Sequence, residues 1–187
     1  MNVTELRLEI DGLGGAEWTT WPHAYGSARD TPGHLVALLG DDEQAQVAAA
    51  RHFGSAIVHQ SSIWPASPDA FAWLIRVLRA QQLPVEVLGS CLSALAEAGE
   101  NVEDDDPAEL TEEGRKWLTR FATTPDEDHE LVWDDFLSSD ADTDVYRWLM
   151  TRMAALRPEV AALLEALDGG GVATAAMLDD VRRSWRP

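Results

Sequence analysis

The chain has 187 residues, 45% hydrophobic and 25% charged, which suits one globular domain and excludes wholesale disorder. Its 33 acids against 14 bases leave a net charge of −19, which repels phosphate backbones and anionic membrane surfaces and favours a basic protein as partner. One cysteine allows neither an internal disulfide nor a cysteine zinc cage, no apolar run approaches the ~20 residues of a membrane span, and no basic-then-apolar leader opens the chain, so the cytoplasm is the expected location.

The first thirty residues admit two readings. Leu6, Leu8 and Ile10 alternate as in a strand, while Val3, Leu6, Ile10 and Leu13 satisfy a helix. A short helix or an extended strap is expected here, anchored by Trp18 and Trp21. "DGLGGAE" has the glycines of a phosphate loop but lacks a following GK[ST], which leaves a turn. Thr31-Pro32 then starts a helix, with Thr31 as cap, proline in the first turn, and Leu35, Leu38 and Leu39 on one stripe up to Gly40. "DDEQAQVAAARHFGSAIVHQ" follows as an antiparallel partner, its acids at the positive helix end and Val47, Ala50, Phe53 and Ile57 on one face.

The pattern recurs. Ser67-Pro68-Asp69 provides a second cap, proline and acid, opening a helix with Phe71, Leu74, Ile75 and Leu78 on one face, and Pro84 opens its partner, which stops at Gly99. Cys91 lies in that partner among apolar residues, as a small buried hydrophobe. Leu35, Leu38 and Leu39 overlie Leu74, Val77 and Leu78 at an offset of 39 residues, close to the roughly 40-residue period of HEAT-type helical pairs. Beyond Gly99 the register weakens: "ENVEDDDP" is a loop of like charges, and a seam is expected near 100–107 within a single domain over 1–187. Pro107 is expected to open a helix running through Trp117, Leu118 and Phe121. A short helix around Leu131 to Leu137, two helices divided near Pro158, and a last one over Val172 to Trp185 complete a total of eight or nine.

"EWTTWPHAYGSARDTPGHLVALL" and "VHQSSIWPASPDAFAWLIRVL" together resemble a family of bacterial HEAT-repeat-containing proteins, in which an HAYGsA-D-P element precedes the first helix and an HQGxxYxAS-like element links the first pair to the next. The resemblance covers about residues 17–79. This chain carries Ser61-Ser62 and Trp64 where the family tends to have Gly-Thr and tyrosine. The family implies a right-handed α-solenoid, so the expected fold is all-α, built of HEAT-like antiparallel helical pairs. Its members have largely unassigned functions.

Candidate sites divide into junction and partner surface. His23 and Tyr25 of the first element, with His59, Gln60 and Trp64 of the second, are expected to fasten helices; His59 falls at a helix end, where carbonyls lack partners and an N–H-bearing side chain is favoured. Metal and catalytic readings are weaker. His52 and His59 are seven residues apart, roughly 10 Å along a helix axis, too far to share an ion ligated at about 2 Å. No HExxH occurs, and His23 and His34 can meet only through the fold, as part of a two-histidine site with a carboxylate. "DADTD", Asp140 to Asp144, begins like a calcium loop but has Val145 and Thr151 where glycine and glutamate are required, so Asp142 or Asp144 reads as a helix cap. Ser61 and Ser62 near His59 lack a GxSxG elbow. No catalytic residue, metal or cofactor is therefore assigned.

The partner surface follows the charge. From Glu100 to Asp144 there are 17 acids against Arg115, Lys116 and Arg120, a net of −14. Within it Asp104, Asp105 and Asp106, then Asp126, Glu127, Asp128, Asp134 and Asp135 around Trp133, form the expected contact residues for an arginine- and lysine-rich protein. The expected function is a non-enzymatic acidic protein-binding module, such as an immunity protein that neutralises a basic bacterial toxin. The alternatives are a helical-repeat enzyme or DNA-repair-type protein, which a chain with one lysine disfavours, and an assembly chaperone or scaffold. The oligomeric state is left open.

Overall fold

The computed structural model describes residues 2–12, 18, 20–103, 106–125, 128–137, 139, 141–170 and 173–186. Within these, helices dominate and the fold is all-α, with two very short β-ribbons at helix junctions. Val3–Gly12 (α1) is a helix, which resolves the ambiguous N-terminal pattern and adds one to the eight or nine expected. Leu6 and Ile10 are its buried pair, while Leu8 is exposed, as the helical period requires and a strand would not.

Thr31–Leu38 (α2) and Glu43–His52 (α3) form the first helical pair, and Ser67–Ala80 (α4) and Val85–Gly99 (α5) the second. Asp42 caps α3 by accepting the N–H groups of Gln44 and Ala45. The two expected caps, Thr31 and Ser67, are used differently. The residue before α2 is Asp30, and the Thr31 hydroxyl is buried against His52; the residue before α4 is Ala66, and Ser67 Oγ donates to the Ile57 carbonyl at 2.6 Å while accepting the Trp64 N–H at 2.8 Å. The Ser67 hydroxyl thus ties its helix start to the preceding segment and the Thr31 hydroxyl ties its own to α3, instead of satisfying their own first turns. The helix starts Thr31 and Ser67 each place a proline second, as does Arg157–Gly170 (α9) with Pro158.

Glu112–Thr123 (α6), His129–Leu137 (α7) and Ala141–Ala154 (α8) pack on one another. The helix expected at Pro107 begins at Glu112 instead, because Thr111 provides the cap by accepting the Gly114 N–H, with Glu112 and Glu113 in the positive first turn. Asp142 and Asp144 likewise lie in the first turn of α8. The last helix, Ala175–Ser184 (α10), starts after Thr174 rather than at Val172, since the Thr174 hydroxyl accepts the Met177 N–H. Cys91 is fully buried in α5, and burial pushes its thiol up to about 12, which makes it inert.

Packing does not follow chain order. α2 lies against α4 and α4 against α9; α3 lies against α5 and α5 against α10. The neighbour of the second pair is therefore the α9/α10 pair, and α6 to α8 form a three-helix insertion between them in sequence. Two glycines of α5 admit α10. A Cβ at Gly89 would meet Met177 at 2.9 Å, and one at Gly99 would sit 2.4 Å from the Trp185 ring. α5 ends at Gly99 as expected from the sequence, though without a left-handed glycine cap, since among the described glycines only Gly26 has positive φ; Gly99 also provides clearance.

The insertion is held to the pairs by a part-buried ion pair. Arg152 of α8 grips both Asp69 carboxylate oxygens, at 3.1 and 2.6 Å, and lies over the Trp148 ring. Trp148 in turn stacks on Trp21 at 5.3 Å. Bidentate geometry and partial burial place this pair above ordinary surface bridges. Arg152→Ala is expected to cost about 1–2 kcal/mol in urea unfolding. A double-mutant cycle with Asp69→Ala should show coupling of about 1 kcal/mol; a coupling indistinguishable from zero would mean that the insertion is held by aromatic packing alone.

Candidate functional site

Both motif elements form β-ribbons. Pro22–His23 (β1) pairs with Gly26–Ser27 (β2), and Val58–His59 (β3) with Ser62–Ile63 (β4), each antiparallel. The helix expected to run through Gln60 ends as α at His52 and continues as one wider π turn, Phe53–Ile57. That turn frees two carbonyls. Ala56 accepts the Ala24 N–H of the first ribbon at 3.0 Å, and Ile57 accepts Ser67 Oγ. Ala66 N–H donates to Pro22, so the first ribbon is threaded between the π turn and the start of α4.

The junction residues supply the cross-links. His59 Nδ1 lies 2.9 Å from the Ser55 carbonyl, which fixes a proton on that nitrogen, and 3.2 Å from the Tyr25 hydroxyl. Tyr25 thereby spans from one ribbon turn to the other ribbon while its side chain stays exposed. Gly26 takes φ +121°, which strains any other residue, and passes so close to His129 of α7 that a Cβ would lie 3.1 Å from Nδ1 and push the ring back by a few tenths of an ångström. Gln60 and Ser61 occupy the tip of the second ribbon with φ of 50° and 58°. This left-handed conformation costs a non-glycine residue roughly 1–2 kcal/mol. Part of that cost is offset where the Ser61 N–H donates to Glu97 of α5 at 2.9 Å.

Behind the first ribbon, the fold gathers residues that the sequence keeps apart. Asp30 accepts from His23 Nε2 at 3.1 Å, with His34 Nε2 and His52 Nδ1 each 3.9 Å from its other oxygen. His34 and His52 stack at 4.0 Å. Ligand atoms of His23, Asp30 and His52 all lie within 4.8 Å of one another, a separation from which a cation could be bound. The hydrogen bonds place protons there. His23 Nδ1 accepts the Tyr25 N–H at 3.1 Å, so its proton sits on Nε2 and points at Asp30; no lone pair of His23 remains for an ion or for taking a proton from a substrate. His52 Nε2 is engaged by Thr31 at 3.0 Å.

Electrostatics agree with a partly buried hub. Burial, with the neighbouring His34, pushes the His52 imidazole down to about 4, so it is neutral. Desolvation and Asp30 act in opposite directions on His34, and the net shift is downward. Asp30 is raised by burial, but the His23 hydrogen bond and the nearby imidazoles outweigh it and hold the carboxyl at about 2. The sequence names His23 and His34 with a carboxylate as a pair that only the fold can join; Asp30 lies four residues before His34, and His52 reaches the hub through the α2/α3 pairing.

A cleft of about 510 Å³ opens between the β3–β4 turn and the insertion. Ser61, Trp64, Asn101, Trp133, Asp142 and Tyr146 are on its wall, over apolar side chains that include Val145 and Leu149. Trp64 and Trp133 meet at 4.5 Å with planes 38° apart, and Trp133 continues to Trp117 at 5.5 Å and Phe136 at 5.2 Å. Trp133 is thus half-buried in an aromatic stack, with part of its ring on the cleft, rather than a lone ring among acids. The Trp64 indole N–H is sealed from solvent without an acceptor.

Of the expected partner-contact acids, Asp106, Asp128, Asp134 and Asp135 are exposed, and Asp135 pairs with Arg120 at 2.6 Å. Asp104, Asp105, Asp126 and Glu127 lie outside the described residues. No family model matches this chain, and no curated protein or solved structure matches it.

Proposed function

We propose that this chain is a non-enzymatic, acidic protein-binding module on a HEAT-like stack of helical pairs, and that its partner is a basic protein. A bacterial toxin neutralised by it is the narrower form of this reading. Support for the stack comes from the side-by-side order α2, α4, α9 on one side and α3, α5, α10 on the other, with antiparallel pairs between them. The observation that carries the function is the placement of charge. The segment with net charge −14 includes all of α6 and α7, its described acids Asp106, Asp128, Asp134 and Asp135 are exposed, and Asp142 of the same segment lines the aromatic cleft. Acidic surfaces of this kind steer a basic partner and set its association rate. The hydrogen-bonded histidine hub, in contrast, is arranged as a fastener.

The test is capture of the partner on the immobilised chain, its identification, and titration of the purified pair. Affinity is expected to fall at least about tenfold between 50 and 500 mM salt. Asp128→Asn with Asp134→Asn should reproduce part of that loss at low salt. Affinity independent of salt, or binding of duplex DNA tighter than that of any captured protein, would overturn the proposal.

A further inference from the structure

We propose that the cleft between the β3–β4 turn and the insertion receives an arginine side chain of the partner, an inference that rests on the protein-binding reading above and names its anchor point. Three features select this occupant. The floor is apolar, with Val145, Leu149 and Phe136 available to the aliphatic stem. Trp64, Trp133 and Tyr146 line it, and an aromatic ring attracts a cation held over its face. Asp142 is the one charged side chain among the described residues lining the cleft.

Competing occupants fit less well. An anionic ligand would meet Asp142 and the surrounding acidic surface. The positive end of α8 does favour an anion, but it amounts to about half a unit of charge, less than the two carboxylates, Asp142 and Asp144, in that same first turn. A neutral aromatic would use the rings and waste the acid. Lysine matches the charge, yet its ammonium is compact and strongly hydrated, and one carboxylate is a small return for stripping that water. The guanidinium is planar, weakly hydrated and stacks flat on indole, and arginine is among the residues that most often anchor protein interfaces.

The experiment is an NMR titration of the ¹⁵N-labelled chain, reading the indole N–H signals of Trp64 and Trp133, assigned through Trp64→Phe and Trp133→Phe. The probes are N-acetyl-arginine methylamide, the lysine analogue and the norleucine analogue, which keeps a stem without charge. Saturable shifts at both indoles are expected with arginine, with affinity at least about fivefold above norleucine and above lysine. Asp142→Asn should remove most of the advantage over norleucine, and Tyr146→Leu should weaken arginine binding while leaving the other tryptophan signals in place. Equal affinity for norleucine would make the cleft an apolar slot and overturn the proposal, as would arginine shifts confined to other tryptophans or no saturable shift at all. A salt-sensitive partner whose binding is untouched by Asp142→Asn, together with a silent arginine titration, would sink the anchor and leave the module standing. Arginine binding without any salt-sensitive protein partner would do the reverse.

Discussion

Gly99→Ala is expected to destabilise the chain by about 2–4 kcal/mol in urea unfolding. Local propensity points the other way, since alanine at a helical glycine should contribute about 1 kcal/mol of stability. The tertiary term is larger. The new Cβ would lie 2.4 to 2.9 Å from three atoms of the Trp185 indole, a buried ring whose Nε1 donates to the Leu95 carbonyl at 2.7 Å. A flexible side-chain tip could swing away; an indole ring packed flat on the helix can leave only by giving up its burial and its hydrogen bond together. Trp185→Ala should therefore cost a similar amount, and the double variant should be little worse than either single change. A Gly99→Ala protein within 0.5 kcal/mol of the parent, by the order of ordinary surface substitutions, would show that α10 does not seat its tryptophan on α5 in solution.

Acidification is the second large effect. His52 is neutral in the folded state down to about pH 4, whereas in the unfolded chain it takes up a proton near 6.5. The unfolded state thus binds more protons between these values, and stability falls as pH is lowered through that window. Linkage over 2.5 pH units amounts to about 3 kcal/mol in all, with about 2 kcal/mol gone by pH 5. Unperturbed carboxyl groups have values near 4, so the range from 6.5 to 5 is chosen to read histidine. His34 adds in the same direction. Asp30 acts later: its carboxyl is held at about 2 against 3.8 unperturbed, so its contribution is present above 3.8 and is lost as pH falls toward 2. Urea unfolding at pH 7.5, 6 and 5 should show the decline in the parent and a much flatter profile in His52→Gln. Parallel profiles for the two proteins would mean that the buried imidazole is protonated without cost.

The hub and the ribbons give the junction motifs a shared physical role. A π turn releases two carbonyls, the first ribbon and Ser67 take them up, and Asp30 gathers the imidazoles of His23, His34 and His52 around one carboxylate. Polar groups at a helix corner are costly when buried unpaired, and the arrangement pairs them within the chain. Rigid corners of this kind hold the cleft residue Trp64 against Trp133 across the seam between the pairs and the insertion.

Sequence alone determined whatever is decided within about one helical turn. The acids at the start of α3, prolines in first turns, the buried faces of α2 and α4 and the acidic segment all follow from side chains acting on their own or adjacent turns. The ribbons escaped because two residues per strand carry no period to detect. Thr31 and Ser67 were misassigned as caps because the same hydroxyl can serve its own helix or a neighbouring segment, and only the neighbour's position decides. The union of α5 with α10 was beyond reach for a different reason: its anchoring hydrogen bond joins residues 90 apart, and an amphipathic stripe states that a face will be buried without stating by what. Gly89 and Gly99 were the available hint, since glycine weakens a helix and is retained where another element must come close. Tertiary structure likewise decided that Trp133 joins an aromatic stack beside a cleft, because the stacking of indoles from α7 and the β4–α4 link depends on how the insertion docks and not on the acids that flank it in the chain.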